Sequence, residues 1–227
     1  MAISGNIFKT AEDAQAESSK DDNVGRFRSG YQVNGLPVAL DHFRITTADP
    51  AVAKAVAEVM GSDDPESPVT QWETSTGEVN QVFTTSDSVE VIFDGPGSVR
   101  ATLVWWGTKG KILESDGANL IEDGKVTEEL DPDAHLPLAE RKEKARKGTG
   151  PGPQLQAYFR LAAAPELGVF KYFSGSWTAM ELFSDVEQDL EAVEGPVHAV
   201  LSLKRVEWED RKTGETKSYT KPDIKLV

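Results

Sequence analysis

Two guanidinium groups flank an aromatic ring in Arg26-Phe27-Arg28, which is bracketed by Gly25 and Gly30 and followed by Tyr31 and an Asn34-Gly35 turn signal. Arginine beside an aromatic combines charge, a planar donor fork and stacking surface, which equips a segment to contact nucleic acid or to anchor another protein. An edge strand with solvated arginines is the plainer reading of the same residues. The five tryptophans, Trp72, Trp105, Trp106, Trp177 and Trp208, stand mostly in strand-like segments. Adjacent residues of a strand face opposite ways, so one of Trp105 and Trp106 belongs to the core and the other is covered by the rest of the chain or left for a partner. Arg26, Phe27, Arg28 and Tyr31, then Trp105 or Trp106, are the candidate partner-binding residues.

Catalytic equipment is sparse. Cysteine is absent, which excludes disulfides, thiolate zinc sites and cysteine nucleophiles. Of the three histidines, His42 and His198 alternate with apolar neighbours in strand-like runs, and His135 closes Asp131-Pro132-Asp133-Ala134-His135. That trio of donors could ligate a divalent cation, but three donors in a proline-bent loop are more often a solvated turn, and no metal is expected. Gly175-Ser176-Trp177 does not fit a nucleophile elbow, and Gly107-Thr108-Lys109-Gly110-Lys111 lacks the upstream glycine and following hydroxyl of a phosphate loop. No catalytic residues and no cofactor are assigned.

Charge narrows the partners. The net charge of −14 divides as −1 over residues 1–40, −13 over 41–137 and 0 over 138–227. So acidic a middle repels DNA phosphates and favours a protein partner. The most basic stretch, Pro137–Lys147, carries Arg141, Lys142, Lys144, Arg146 and Lys147. It could touch phosphates, or it could be a solvated helix in which Glu140 and Glu143 pair with Lys144 and Lys147. Neither a leader sequence nor an apolar membrane span is apparent, so a cytoplasmic location is expected.

These residues must be positioned by short, punctuated elements. Residues 1–23, rich in Ala, Glu, Asp, Ser, Lys and Gln, read as a flexible N-terminal arm with a nascent helix at Thr10–Ser19. Strands are expected at Tyr31–Val33, Val38–Leu40 and His42–Thr47, joined by the Asn34-Gly35 hairpin turn. Asp49 caps a helix that Pro50 opens and Gly61 ends, with Val52, Ala55, Val56 and Val59 on one face. Further strands are expected at Trp72–Thr74, Gln81–Thr85, Val89–Phe93 and Ser98–Trp106, with short ones at Lys111–Leu113 and Gly124–Val126. The Pro137–Lys147 helix and a Gly/Pro joint at 148–153 follow. Strands at Gly168–Phe173 and Ser176–Ala179, a helix at Met180–Val193, a strand at Val197–Trp208 and a hairpin through Lys212–Glu215 complete the chain.

Phe159-Arg160-Leu161 before Ala164-Pro165 echoes Phe43-Arg44-Ile45 before Asp49-Pro50, and Glu194-Gly195-Pro196 echoes Asp94-Gly95-Pro96. A diverged duplication would produce both echoes. The expected fold is α+β and mainly antiparallel β, in two related β-rich modules with a helix each. One spans 24–136 and the other 154–227, with the basic helix and linker of 137–153 between them.

Gly25-Arg26-Phe27-Arg28-Ser29-Gly30, Phe43-Arg44-Ile45-Thr46-Thr47, Ala139-Glu140-Arg141-Lys142, Ala164-Pro165-Glu166-Leu167-Gly168, Ser174-Gly175-Ser176-Trp177 and Ser218-Tyr219-Thr220-Lys221-Pro222 carry a resemblance. In order and breadth, from about residue 24 onward, the chain resembles the recombination directionality factors of large serine integrases, particularly those of Streptomyces phages. The resemblance implies a non-enzymatic protein that binds integrase at its C-terminal region, including the coiled coil. With the factor bound, integrase excises the prophage by recombining the left and right attachment sites and no longer joins the phage and bacterial ones. DNA would be met only through integrase, and a nucleic-acid-binding accessory protein is the alternative. Such relatives carry cysteines in the region matching 115–137, which the resemblance would make a zinc site. Here Ser115-Asp116-Gly117 and Asp131-Pro132-Asp133 stand instead, so no metal role carries over.

Overall fold

Alternation in the first ordered strand decides the architecture: Phe27 turns inward, and Arg26 and Arg28 turn outward. The computed structural model describes residues 23–33, 36–72, 79–209, 214 and 216–227. The arm up to residue 22, the Asn34-Gly35 turn, Glu73 and Thr74 of the expected Trp72–Thr74 strand, and all but Gly214 of the Lys212–Glu215 loop lie outside them.

In chain order, β1 (Gly25–Val33) and β2 (Leu36–Thr47) lead to α1 (Pro50–Met60). Next come β3 (Thr70–Gln71), β4 (Asn80–Phe83), β5 (Ser88–Phe93), β6 (Val99–Gly107), β7 (Gly110–Ser115), β8 (Asn119–Glu122) and β9 (Lys125–Leu130). After α2 (Leu138–Arg146) follow β10 (Gly152–Leu161), β11 (Phe170–Ser174), α3 (Met180–Glu191), β12 (Val197–Glu209) and β13 (Thr216–Leu226). The fold is therefore α+β with strands predominant. Asp49 caps α1 as expected, its carboxylate accepting from the Ala51 amide at 2.7 Å with Pro50 at the first helical position. Val52, Ala53, Val56 and Met60 are the buried residues of α1, whereas Val59, expected on the same face, is exposed. Ser176–Ala179, expected as a strand, instead holds a 3-10 turn at Trp177–Ala179 that runs directly into α3, and no ladder pairs with it.

Among the described residues the strands join in one sheet. Its main path runs β3-β4-β2-β1-β11-β10-β6-β7-β8-β9, and β5 links the outer part of β10 to the β12–β13 ribbon. Every ladder is antiparallel except β1–β11, which sets Gly25, Arg26 and Phe27 beside Phe170, Lys171 and Tyr172. Strands of 24–136 and 154–227 thus interleave: β1 lies beside β11, β10 beside β6, and β12 beside β5. Both helices of appreciable apolar character, α1 and α3, pack on the single core beneath them. The interleaving has a physical reason, because the inward residues of each segment bury the other's.

Phe27 is the centre of that core. Its ring meets those of Phe43, Phe159 and Phe170 edge-on, with centroids 5.3, 5.2 and 5.4 Å away. Such edge-to-face pairs add about 0.5–1.5 kcal/mol each beyond burial. At Gly25 a β-carbon would come within 3.0 Å of the Thr46 carbonyl oxygen and 3.1 Å of the Phe170 ring, so the parallel β1–β11 approach requires glycine there.

Helix α3 is fastened to the sheet by Glu187, whose carboxylate accepts from the Ala101 amide on β6 at 3.0 Å. Burial raises the Glu187 pKa above the usual carboxylate value, and the Ala101 bond and Arg100 only partly oppose it.

Two outcomes test this core. Phe27→Ala removes the ring shared by four strands, and urea denaturation is expected to show a loss of about 3–5 kcal/mol. Because Glu187 binds its proton more tightly in the folded protein, stability falls as pH rises through the window between its unfolded and folded values. Glu187→Gln keeps an acceptor for the Ala101 amide and removes the titration. Its thermal midpoint should therefore fall less than the parent's between pH 4.5 and neutrality.

Candidate functional site

The outward residues of β1 meet those of β2, β4 and β11 on the face of the sheet turned away from the helices. Register places Arg28 beside Arg44 and Arg44 beside Phe83. A bulge between Arg28 and Gly30 resets the alternation of β1. Ser29 then lies inward, within hydrogen-bonding distance of the Tyr172 hydroxyl at 3.1 Å, and Tyr31 joins Arg28 on the outer face. Gly30 makes the bulge possible, since a β-carbon there would stand 2.7 Å from the Val38 carbonyl oxygen.

Arg44 is the keystone of this face, although only 2% of it is exposed. Its guanidinium carbon lies 4.1 Å from the centroid of the Trp72 ring, 5.5 Å from that of Phe83 and 5.7 Å from that of Tyr31. Its Nε donates to Gln81 Oε1 at 2.8 Å. A guanidinium is weakly hydrated and delocalised, so ring faces can replace part of its water. Arg28, partly exposed, donates from Nε to Thr46 Oγ1 at 3.0 Å and lies 5.2 Å from the Trp72 centroid. These groups line an open cleft of about 880 Å³.

A second cleft of about 400 Å³ shares Arg28 and Gly30 with the first and continues to Arg26, Lys171, Gln156 and Phe173. Lys171 holds its ammonium 5.1 Å from the centroid of Tyr158, and Phe173 is 52% exposed. Farther along the sheet Trp106 is 59% exposed, and its indole N–H donates to Gln154 Oε1 at 3.1 Å.

The sequence candidates therefore separate. Arg26, Arg28 and Tyr31 share the outer face, and Trp106 is exposed on the sheet beyond them. Phe27 is removed from the set: it is 1% exposed, because its ring completes the core. Trp105 is only partly exposed, and its indole N–H donates to the Gly148 carbonyl at 3.0 Å, tying down the linker after α2. Sequence reasoning missed Arg44, Trp72, Phe83, Lys171 and Phe173 as members of this face. The alternation Phe43-Arg44-Ile45 signalled an outward Arg44, but the neighbourhood of Lys171 and Phe173 depends on the parallel β1–β11 pairing, which joins segments remote in sequence.

The acidic loop and the basic helix are bound up with one another. Asp131 is buried and accepts from Ser115 Oγ at 2.6 Å and from Arg141 Nη2 at 2.6 Å. Arg141 Nη1 donates to the Gly117 carbonyl at 3.0 Å, and Lys144 pairs with Asp133. Arg146 and Lys147 pair with Glu143 at 2.7 and 3.1 Å, and hydrogen bonds from them hold the Glu143 carboxyl down at about 2. The expected Glu143–Lys147 pair is present, while Lys144 turns to Asp133 instead of Glu140. Among the described residues no group of three or more His, Cys, Asp and Glu side chains is arranged to hold a metal ion. No helix of the described residues is long and apolar enough to cross a membrane.

The fold and this face define an α+β protein built on one large sheet, with cations and aromatic rings gathered on its outer side. Residues 24–227 match the model of the Gp3-like, recombination directionality factor-like family, and the chain belongs to that family. It is a family of accessory recombination factors, and membership implies interaction with an integrase in recombination. No solved structure matches the chain.

Asp131→Asn should reveal what the ion network contributes. Removing one partner leaves the Arg141 charge poorly compensated beside Ser115, at an expected cost of about 3–5 kcal/mol. Hydrogen exchange should accelerate first in β7–β9 and α2.

Proposed function

We propose that this protein is a recombination directionality factor acting on a serine integrase in the cytoplasm of a bacterial host. It binds the C-terminal region of the integrase, including the coiled coil. Recombination between left and right attachment sites is stimulated, and recombination between phage and bacterial sites is inhibited. The single observation that carries this reading is the family match over residues 24–227.

Physical features support a protein partner over direct DNA binding. A net charge of −14 opposes approach to a polyanion. The basic helix α2, the strongest candidate for phosphate contacts, has Arg141, Lys144, Arg146 and Lys147 engaged in ion pairs. Arg26, Arg28, Tyr31 and Trp106 are the proposed contacts to integrase, and no residue is assigned a catalytic role.

Mechanistically, the factor must bind two arrangements of integrase unequally, since a ligand with equal affinity for both shifts nothing. Redirecting the coiled coils so that only subunits on left and right sites synapse would satisfy that requirement. To favour one arrangement from 1:99 to 99:1 the difference in affinity must approach about 10⁴-fold.

The decisive experiment mixes purified protein and cognate integrase with each pair of attachment sites. Excision should rise and integration fall as the protein is added, whereas unchanged yields in both reactions would refute the reading. Mobility-shift assays on the same DNA without integrase should show no complex.

A further inference from the structure

We infer that the cleft between helix α3 and the β8–β9 hairpin receives a basic segment of the integrase partner, with a lysine or arginine seated beside Glu187 and Glu191. The inference rests on the reading just proposed and deepens it by naming a further contact surface and the chemistry of what fills it. The cleft measures about 600 Å³. Glu187, Gln188 and Glu191 line it from α3, Ile121 and Val126 from the hairpin, and Ala101 from β6.

Its first support is an electrostatic arrangement that is unfavourable in the chain by itself. Glu187 and Glu191 stand one turn apart on α3, a spacing at which like charges repel. Glu191 also occupies the last turn, where the free carbonyls form the negative end of the helix dipole and no basic residue opposes them. Asp116 faces the same cleft. Among the described residues none of these carboxylates forms an ion pair, and Arg100, the one cation of the lining, is shared with Glu114 on β7 at 3.8 Å. Burial, and then the charges of Glu191 and Asp116, raise the Glu187 pKa against the opposing effects of the Ala101 amide and Arg100. Local rules broken together at one place, with little compensation inside the chain, mark a functional surface, and an incoming cation would relieve all of them.

The second support is the apolar seat beside these charges. Val126 is 58% exposed and lines the cleft, while alternation turns its neighbour Lys125, opposite Glu122, to the other face of the hairpin. Among the described residues β9 pairs with β8 alone and ends the main path of the sheet, so the cleft is open along the hairpin for a chain to enter. No group of described side chains is arranged to hold a metal ion, so the cation is one carried by a side chain. A protein that grips DNA phosphates presents lysines and arginines, which suits an integrase to this cleft. DNA itself and a second copy of this chain are both disfavoured, because the net charge is −14 and most of it lies in 41–137. Complementary charge thus commits the cleft to a basic protein segment, and a segment held here is withdrawn from DNA.

The test uses the full chain and its cognate integrase. Binding of the unsubstituted protein to immobilised integrase should weaken as salt rises. Glu191→Lys should weaken it by about tenfold or more while leaving the thermal midpoint unchanged or raised, since the substitution removes a repulsion and suits the helix dipole. Glu166→Lys makes the same change of charge at an exposed position away from the cleft and should leave binding unchanged. Unaltered binding by Glu191→Lys, an equal loss in both variants, or a lowered midpoint in Glu191→Lys would overturn the inference. Since the chain has no cysteine, Val126→Cys provides a unique attachment point for a benzophenone photo-crosslinker. Mass spectrometry should identify a crosslinked integrase peptide rich in Lys and Arg. A neutral or acidic peptide, no crosslink in a complex that forms, or a crosslink only to a second copy or to residues 1–22 of this chain would overturn the inference. Failure of the unsubstituted chain to bind integrase at all would refute the functional reading itself, and the inference with it.

Discussion

The packing of Phe27 against Phe43, Phe159 and Phe170 is the contact on which the rest of the molecule depends. These rings come from β1, β2, β10 and β11, so one cluster joins segments more than a hundred residues apart. A parallel pairing such as β1–β11 cannot be made by a tight turn and is slow to find, because a long loop must close before any contact rewards it. Burial of the shared aromatic cluster supplies that reward. With Phe27 inward, the period of the strand leaves Arg26 and Arg28 no place but the outer face. The placement of these cations is thus a consequence of the core.

This coupling explains why the face is built with so little apparent machinery. Around the nearly buried Arg44, Trp72, Tyr31, Phe83 and Gln81 take over part of the role of water. The bulge before Gly30 brings Tyr31 to the same side as Arg28, and without it the ring would point toward the core. On α2, by contrast, the cations are tied to Asp131, Asp133 and Glu143.

Much of this was legible in local sequence signals. Asp49-Pro50 and Gly61 bracketed a helix whose capping bond is present, and alternation located β5, β6 and β12 to within a residue or two. The basic helix was also legible, though the destinations of Arg141 and Lys144 were not, because Asp131 and Asp133 reach them across a turn instead of along the helix. Trp177 and its neighbours read as a strand, but that segment has no ladder partner and tightens into the entry of α3. Which edges of the two segments pair was invisible for a general reason: repeated motifs indicate similar local structure and carry no information about pairing. The same reason hid Lys171 and Phe173, which become neighbours of Arg26 and Arg28 only through β1–β11.

That dependence constrains how a directionality factor could work. A surface assembled by the main sheet and underlain by a close-packed core deforms little, so it can favour one integrase arrangement only by matching it better than the other. The acidic middle of the chain opposes any pose that brings a polyanion against it. A rigid sheet face therefore holds whatever it binds in one orientation, and orientation is what choosing between two arrangements of a partner requires.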